Sequence, residues 1–188
     1  NNQDISNEKS LVYPMSPYAA AKASAMHIVR NYRDSFDIFC CTGITFNHES
    51  PLRPDYFVTQ KIVRHAYLIS QKKIEYLELG NIDIQRDWGW APEYVEAMVL
   101  MMGMEKPEDI IISTGKISSL KDFINLSFSY FDLNWEDHVK INDVYKRSTD
   151  VIVNAGNPSK ANMLLGWSAS YDLKDIVKNM CKSVQYKN

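Results

Sequence analysis

Ser16-Pro-Tyr-Ala-Ala-Ala-Lys22 decides how this chain is read. Ser16 as cap and Pro17 in the first turn mark the start of a helix. Four positions separate Tyr18 from Lys22, so one helical turn sets both side chains on one face. A phenol has a pKa of about 10 and is a poor base near neutral pH, but an ammonium neighbour favours the phenolate. Tyr18 and Lys22 are therefore the candidate catalytic residues. The same spacing also occurs on solvated helix faces, and the rest of the chain has to decide between the two readings.

Outward from that stretch, helical and strand-like segments alternate without an internal repeat, which favours an α/β class. The first helix is expected from Ser16 to Ser35, with Ala21, Ala25, Ile28, Val29 and Tyr32 at helical spacing. Asp37 to Phe46, rich in aromatic, β-branched and cysteine residues, reads as a strand buried on both faces. A polar elbow, Asn47-His-Glu-Ser-Pro51, ends it. Further on come a helix over Val58 to Gln71, a strand over Tyr76 to Leu79, a helix over Pro92 to Met102 with a core-facing Met/Leu stripe, and a strand over Asp109 to Ser113. Ser118 and Ser119 open a helix to about Phe131, Asn142 to Gly156 is a polar connection, and the last helix starts near Asp172.

Composition narrows the function. The chain has 188 residues, 45% of them hydrophobic, enough for a substantial core of one domain or a domain and a half. No run of about 20 apolar residues is present and the first residues lack the plan of a signal peptide, so no membrane is expected and the cytoplasm is the default. A net charge of -2 without Lys/Arg blocks argues against nucleic acid. Three cysteines, two adjacent at Cys40 and Cys41, form neither a disulfide framework nor a metal pattern and read as buried thiols.

Two motifs are missing. No glycine loop of the G-x-x-G-x-x-G or G-x-G-x-x-G kind follows a strand, and there is no P-loop. With a polar, irregular start from Asn1 to Ser10, the chain is expected to be the C-terminal half of a larger protein.

Several longer motifs then fall into order: Tyr18 and Lys22 as Y-x-x-x-K, Thr45-Phe-Asn-His-Glu-Ser-Pro51, Phe57-Val-Thr-Gln-Lys-Ile62, Leu79-Gly-Asn-Ile-Asp83, Arg86-Asp-Trp-Gly89 and Pro107-Glu-Asp109. In order and spacing the chain resembles the GDP-mannose 4,6-dehydratase family of the extended short-chain dehydrogenase/reductases, from about Pro14 to the final helix. Y-x-x-x-K is common to the whole superfamily, whereas N-H-E-S-P joined to F-V-T-x-K and R-D-W-G is much narrower.

The resemblance implies an α/β fold, the C-terminal part of an extended short-chain dehydrogenase with a Rossmann-like parallel sheet and a smaller sugar-nucleotide-binding subdomain. Residues 1–50 would end the nucleotide-binding domain and residues 51–188 would form the substrate subdomain, some segments returning to the sheet. It implies NADP as cofactor, with NAD as the alternative, a GDP-sugar substrate, a homodimer or homotetramer, and no metal. It assigns cofactor contacts to Tyr18, Lys22, Asn47, His48 and Arg53, and substrate contacts to Asn47, Val58, Lys61, Gly80, Arg86, Arg147 and Asp150. Glu49 is read as bracing its loop. The family's Ser/Thr and Glu, in one motif about twenty residues before the tyrosine, would fall upstream of Asn1. The isolated chain is therefore expected neither to hold NADP tightly nor to turn over GDP-mannose.

Some positions depart from the family pattern. Arg147-Ser-Thr-Asp150 stands where R-P-x-E is usual, Leu52 replaces the first of two arginines so that only Arg53 remains, and Trp90 replaces a histidine. These changes suit a relative acting on another GDP-sugar, such as a GDP-heptose. Three classes stay open at this point: a sugar-nucleotide 4,6-dehydratase, a related reductase or epimerase, and a non-catalytic nucleotide-sugar-binding module.

Overall fold

In the computed structural model, which describes residues 5–145 and 151–186, Ser16 caps helix α1 (Pro17–Phe36) by accepting the Ala19 N–H at 3.1 Å. Asp37 ends the helix in the left-handed region, at φ 53°. There follow β1 (Thr42–Thr45), β2 (Asn47–Glu49), α2 (Val58–Ser70), β3 (Leu77–Leu79), β4 (Gln85–Arg86), β5 (Trp88–Trp90), α3 (Ala91–Met102) and β6 (Asp109–Ile112). The remainder comprises β7 (Ser118–Ser119), α4 (Leu120–Ser129), β8 (Val139–Ile141), β9 (Val153–Asn154), α5 (Ser159–Leu165) and α6 (Leu173–Gln185).

Parallel ladders dominate, in keeping with the α/β class. β1 pairs with β6 in register Thr42 to Asp109, β2 with β5 in register Asn47 to Trp88, and β3 with β8 in register Leu77 to Val139. β4 lies between β9, parallel, and β7, antiparallel. Helices α2, α4 and α6 cover a core of Ile62, Val63, Leu77, Phe123, Phe128, Ile176 and Met180. A second cluster, Tyr94, Ala97, Met101, Ile110, Ile112 and Trp167, lies under α3 and α5. Each large apolar side chain so buried contributes about 1.5 to 3 kcal/mol. Ser119 and Asp172 head α4 and α6 with capping boxes, as their sequence positions announce.

Several expectations are corrected. The strand expected over 37–46 is only Thr42–Thr45 and is half-buried rather than buried on both faces, because β6 is its one ladder partner among the described residues. Ile38 and Phe39 before it are exposed, and α1 contains no buried residue. The elbow at Asn47 is itself a strand, since the chain pairs again with β5 directly after β1 ends. On α3 only Met101 of the Met/Leu stripe reaches the core, while Met98, Leu100 and Met102 are exposed. Cys181 is buried, but Cys40 and Cys41 are half-buried. Helix α5 and the two-residue strands were not expected.

Asp87, the second residue of R-D-W-G, explains how the loops beneath the site are joined. It is fully buried and accepts from Thr114 N at 2.9 Å, Thr114 Oγ1 at 2.8 Å and Gly115 N at 2.8 Å. Three donors converging on one carboxylate tie the β6–β7 loop to the link between β4 and β5.

Candidate functional site

Period-two alternation along β2 sends Asn47 and Glu49 to one side and His48 to the other. On the first side lies a cavity of about 470 Å³, lined by Asn47, Glu49, Arg53, Val58, Lys61, Gly80, Arg86 and Tyr145 among others. On the second side His48 packs on Tyr94, ring centroids 5.0 Å apart, and its Nδ1 is 2.8 Å from the Phe46 carbonyl. That carbonyl can only accept, so Nδ1 carries the proton.

Beyond β2, four further pieces of chain bring the residues expected in the wall. The turn after β2 brings Arg53, the first two turns of α2 bring Val58, Thr59 and Lys61, the end of β3 brings Gly80, and β4 brings Arg86. Lys61 Nζ donates to the Glu78 carbonyl at 2.8 Å and stands 4.7 Å from the Tyr145 ring centroid. Arg86 Nη1 donates to the Val151 carbonyl at 2.7 Å and the Gln85 carbonyl at 2.8 Å. Arg53 lies over the Phe57 ring, 3.9 Å from its centroid, with Nε 3.3 Å from Glu49. Three cations against one carboxylate suit an anionic ligand, since guanidinium and ammonium groups meet phosphate oxygens in charge-assisted hydrogen bonds.

Among the described residues Glu49 is the one acidic group in that lining. Burial pushes its carboxyl up to about 7, opposed by the Arg53 charge and the hydrogen bond from Thr59. The Thr59 hydroxyl donates to it at 2.8 Å.

The structure thus brings together Asn47, Arg53, Val58, Lys61, Gly80 and Arg86 of the residues expected to bind ligands. It does not bring Tyr18, Lys22 or His48 to the same lining. Tyr18 and Lys22 lie on α1, both exposed, with Lys22 Nζ 5.7 Å from the Tyr18 ring centroid, so they share a face as their spacing requires. Arg147 and Asp150 lie outside the described residues. Sequence reasoning missed Tyr145, Tyr56, Phe57 and Trp88 in the wall, and took Glu49 for a loop brace without placing it there. The signal for Glu49 was its position two residues after Asn47, on the same face of a strand.

Trp90, a departure from the family pattern, stacks on Tyr171 with centroids 5.8 Å apart and is not in the cavity lining. Leu52, the other departure, is 87% exposed. Among the described residues no group of His, Cys, Asp and Glu is arranged to hold a metal, and no helix is long and apolar enough to cross a membrane.

Comparison with known proteins gives a consistent result. A family profile described as GDP-mannose 4,6 dehydratase matches residues 1–180. GDP-mannose 4,6 dehydratase 1 of Arabidopsis thaliana is 44% identical over 174 residues, covering 93% of this chain and 48% of that protein. The Dictyostelium discoideum GDP-mannose 4,6 dehydratase is 43% identical, covering 96% of this chain and 56% of its own length, and the human one 38%, covering 92% and 51%. The chain spans about half the length of the curated relatives it matches. Among solved structures, RMD from Pseudomonas aeruginosa complexed with NADPH aligns with a TM-score of 0.87 at 17% identity, over 97% of this chain and 60% of that one. A dTDP-glucose 4,6-dehydratase from Bacillus anthracis in complex with NAD aligns at 0.86 and 16% identity, over 99% and 57%. At these identities the structures show the shared fold.

Proposed function

The chain belongs to the GDP-mannose 4,6-dehydratase family, and on that premise we propose that it is the sugar-nucleotide-binding part of an enzyme eliminating water from GDP-mannose to give GDP-4-keto-6-deoxymannose. One observation carries the proposal: six of the positions expected to bind ligands, spread from Asn47 to Arg86, line a single cavity. In this reading Arg53, Lys61 and Arg86 hold phosphate groups, and burying a diphosphate without such cations would cost several kcal/mol or more. Arg147 and Asp150 complete the nucleotide contacts.

The residues present fit a nicotinamide dinucleotide, NADP by family and NAD as the alternative. Tyr18 and Lys22 present one exposed face of α1, and Arg53 offers a buried Nε–H that faces Glu49 at 3.3 Å and has no hydrogen-bond acceptor among the described residues. When bound, such a cofactor accepts a hydride and later returns it. In this reading Tyr18, with Lys22 beside it on the same face of α1, takes the proton from the sugar 4-hydroxyl. No residue of this chain is assigned as the C5 base, so the 188 residues alone bind the GDP-sugar without turning it over.

The test is an NMR titration of the chain with GDP-mannose. Backbone signals of Lys61, Gly80 and Arg86 shift together while those of α6 do not. Shifts confined to residues outside the cavity would contradict the reading.

A further inference from the structure

Inside the candidate cavity, Glu49 is held between a hydroxyl and a cation. Its carboxylate is buried, accepts the Thr59 hydroxyl at 2.8 Å, and faces Arg53 Nε at 3.3 Å. The Arg53 contact is an ion pair without a hydrogen bond, for Nε is buried and has no hydrogen-bond acceptor among the described residues. Glu49 is fixed by strand pairing, in register with Trp90 of β5. Arg53 follows the turn through Ser50 and Leu52, is 24% exposed, and stacks its guanidinium on Phe57. One carboxylate on the strand and one cation on the turn that follows it therefore share the wall.

We propose that Glu49 is a resident counter-ion for Arg53 that a phosphate group displaces, and that the displaced carboxylate then takes up a proton. The proposal rests on reading Arg53 as an anion-binding residue. Phosphate oxygens engage a guanidinium through paired N–H donors, a better match than the present contact at Nε. When Arg53 turns to the ligand, Glu49 stays buried with only the Thr59 hydroxyl, and a buried charge without a partner neutralises instead. One anion enters, and one proton follows it from solvent to the Glu49 carboxylate.

Burial prepares the carboxyl for this exchange, pushing it up to about 7 even with Arg53 beside it. The groups facing it are Arg53 from its own loop and the uncharged Thr59 hydroxyl from α2. Its strand partner Trp90 on β5 brings no charge, and Lys61 on the same wall is engaged by the Glu78 carbonyl. The ligand-bound state holds the extra proton. Affinity for the anion therefore falls as pH rises above about 7, the free-state value, by at most about tenfold per pH unit.

Sulfate is a suitable probe, because it does not titrate in this range. In the chain labelled with ¹³C at glutamate carboxyls, with Glu49→Gln used to assign the signal, the Glu49 titration midpoint should move upward at saturating sulfate while the Arg53 Nε signal shifts. Arg53→Ala should raise the midpoint without sulfate and abolish the response to it. An Arg53 shift with an unchanged Glu49 midpoint overturns the proposal, as does an Arg53 signal indifferent to sulfate. GDP-mannose binding sensed at Lys61 and Arg86 is read separately, so the functional reading can stand where this one fails, and the reverse.

Discussion

Arg33 on α1 donates Nη2 to Asp109 Oδ1 at the start of β6, at 2.6 Å. Arg30 adds Nε and Nη2 bonds to Oδ2, at 3.2 and 2.7 Å. Helix α1 has no buried residue of its own, so these charged bonds fasten the helix bearing Tyr18 and Lys22 to the sheet. Asp109→Asn should therefore destabilise the chain by about 2 to 3 kcal/mol, the range for losing charge-assisted bonds to a mostly buried carboxylate, as read by urea unfolding. The arginines hold the Asp109 carboxyl below its usual value, against the effect of burial. Its folded-state pKa being depressed, the contribution is complete above the unfolded value of about 3.9 and is lost as pH falls through the folded one.

Gly89 and Tyr94 form a second test. A Cβ at Gly89 would run into the Tyr94 ring and hydroxyl, and Tyr94 cannot yield because it is buried against Trp167 and His48. Gly89→Ala should cost about 1 to 3 kcal/mol, as overpacking does. The Tyr94 hydroxyl is buried without a hydrogen-bond partner among the described residues. Tyr94→Phe should consequently leave the melting temperature unchanged or raise it, since the hydroxyl gains nothing from burial.

Glu49 gives a pH-dependent prediction that needs no ligand. Its folded-state pKa of about 7 lies above the unfolded value, so the folded chain holds an extra proton between them. Stability from this group is present below pH of about 4.3 and declines as pH rises through about 7, by about 3 to 4 kcal/mol in total. Glu49→Gln removes that decline. Unfolding curves of parent and variant at pH values across this window should diverge, the variant gaining on the parent as pH rises.

What the sequence made legible follows from how local the physics is. Ser16, Ser119 and Asp172 announced their helices because a cap is a bond between neighbours three residues apart. Gln85–Arg86, Ser118–Ser119 and Val153–Asn154 left no such mark, because two-residue strands exist only through partners far along the chain. Val99 and Met102 on α3 show the same limit for burial, for their apolar character does not say which face of the helix meets the core. In the cavity wall, Lys61, Gly80 and Arg86 were expected from motif order, whereas Tyr145 was missed because it stands outside the motifs and reaches Lys61 from another part of the chain. His48 was grouped with Asn47 although strand alternation separates them, since the elbow was not read as a strand.

In the proposed function, the cavity between β2, α2, β3 and β4 binds a GDP-sugar through its cations. Calorimetric titration of GDP into the chain and into Lys61→Ala tests it most directly. Lys61→Ala should weaken GDP about tenfold or more, the loss of one charge-assisted hydrogen bond of about 1.5 to 3 kcal/mol, with Arg147→Ala doing the same. GDP bound equally tightly by parent, Lys61→Ala and Arg147→Ala would contradict the account.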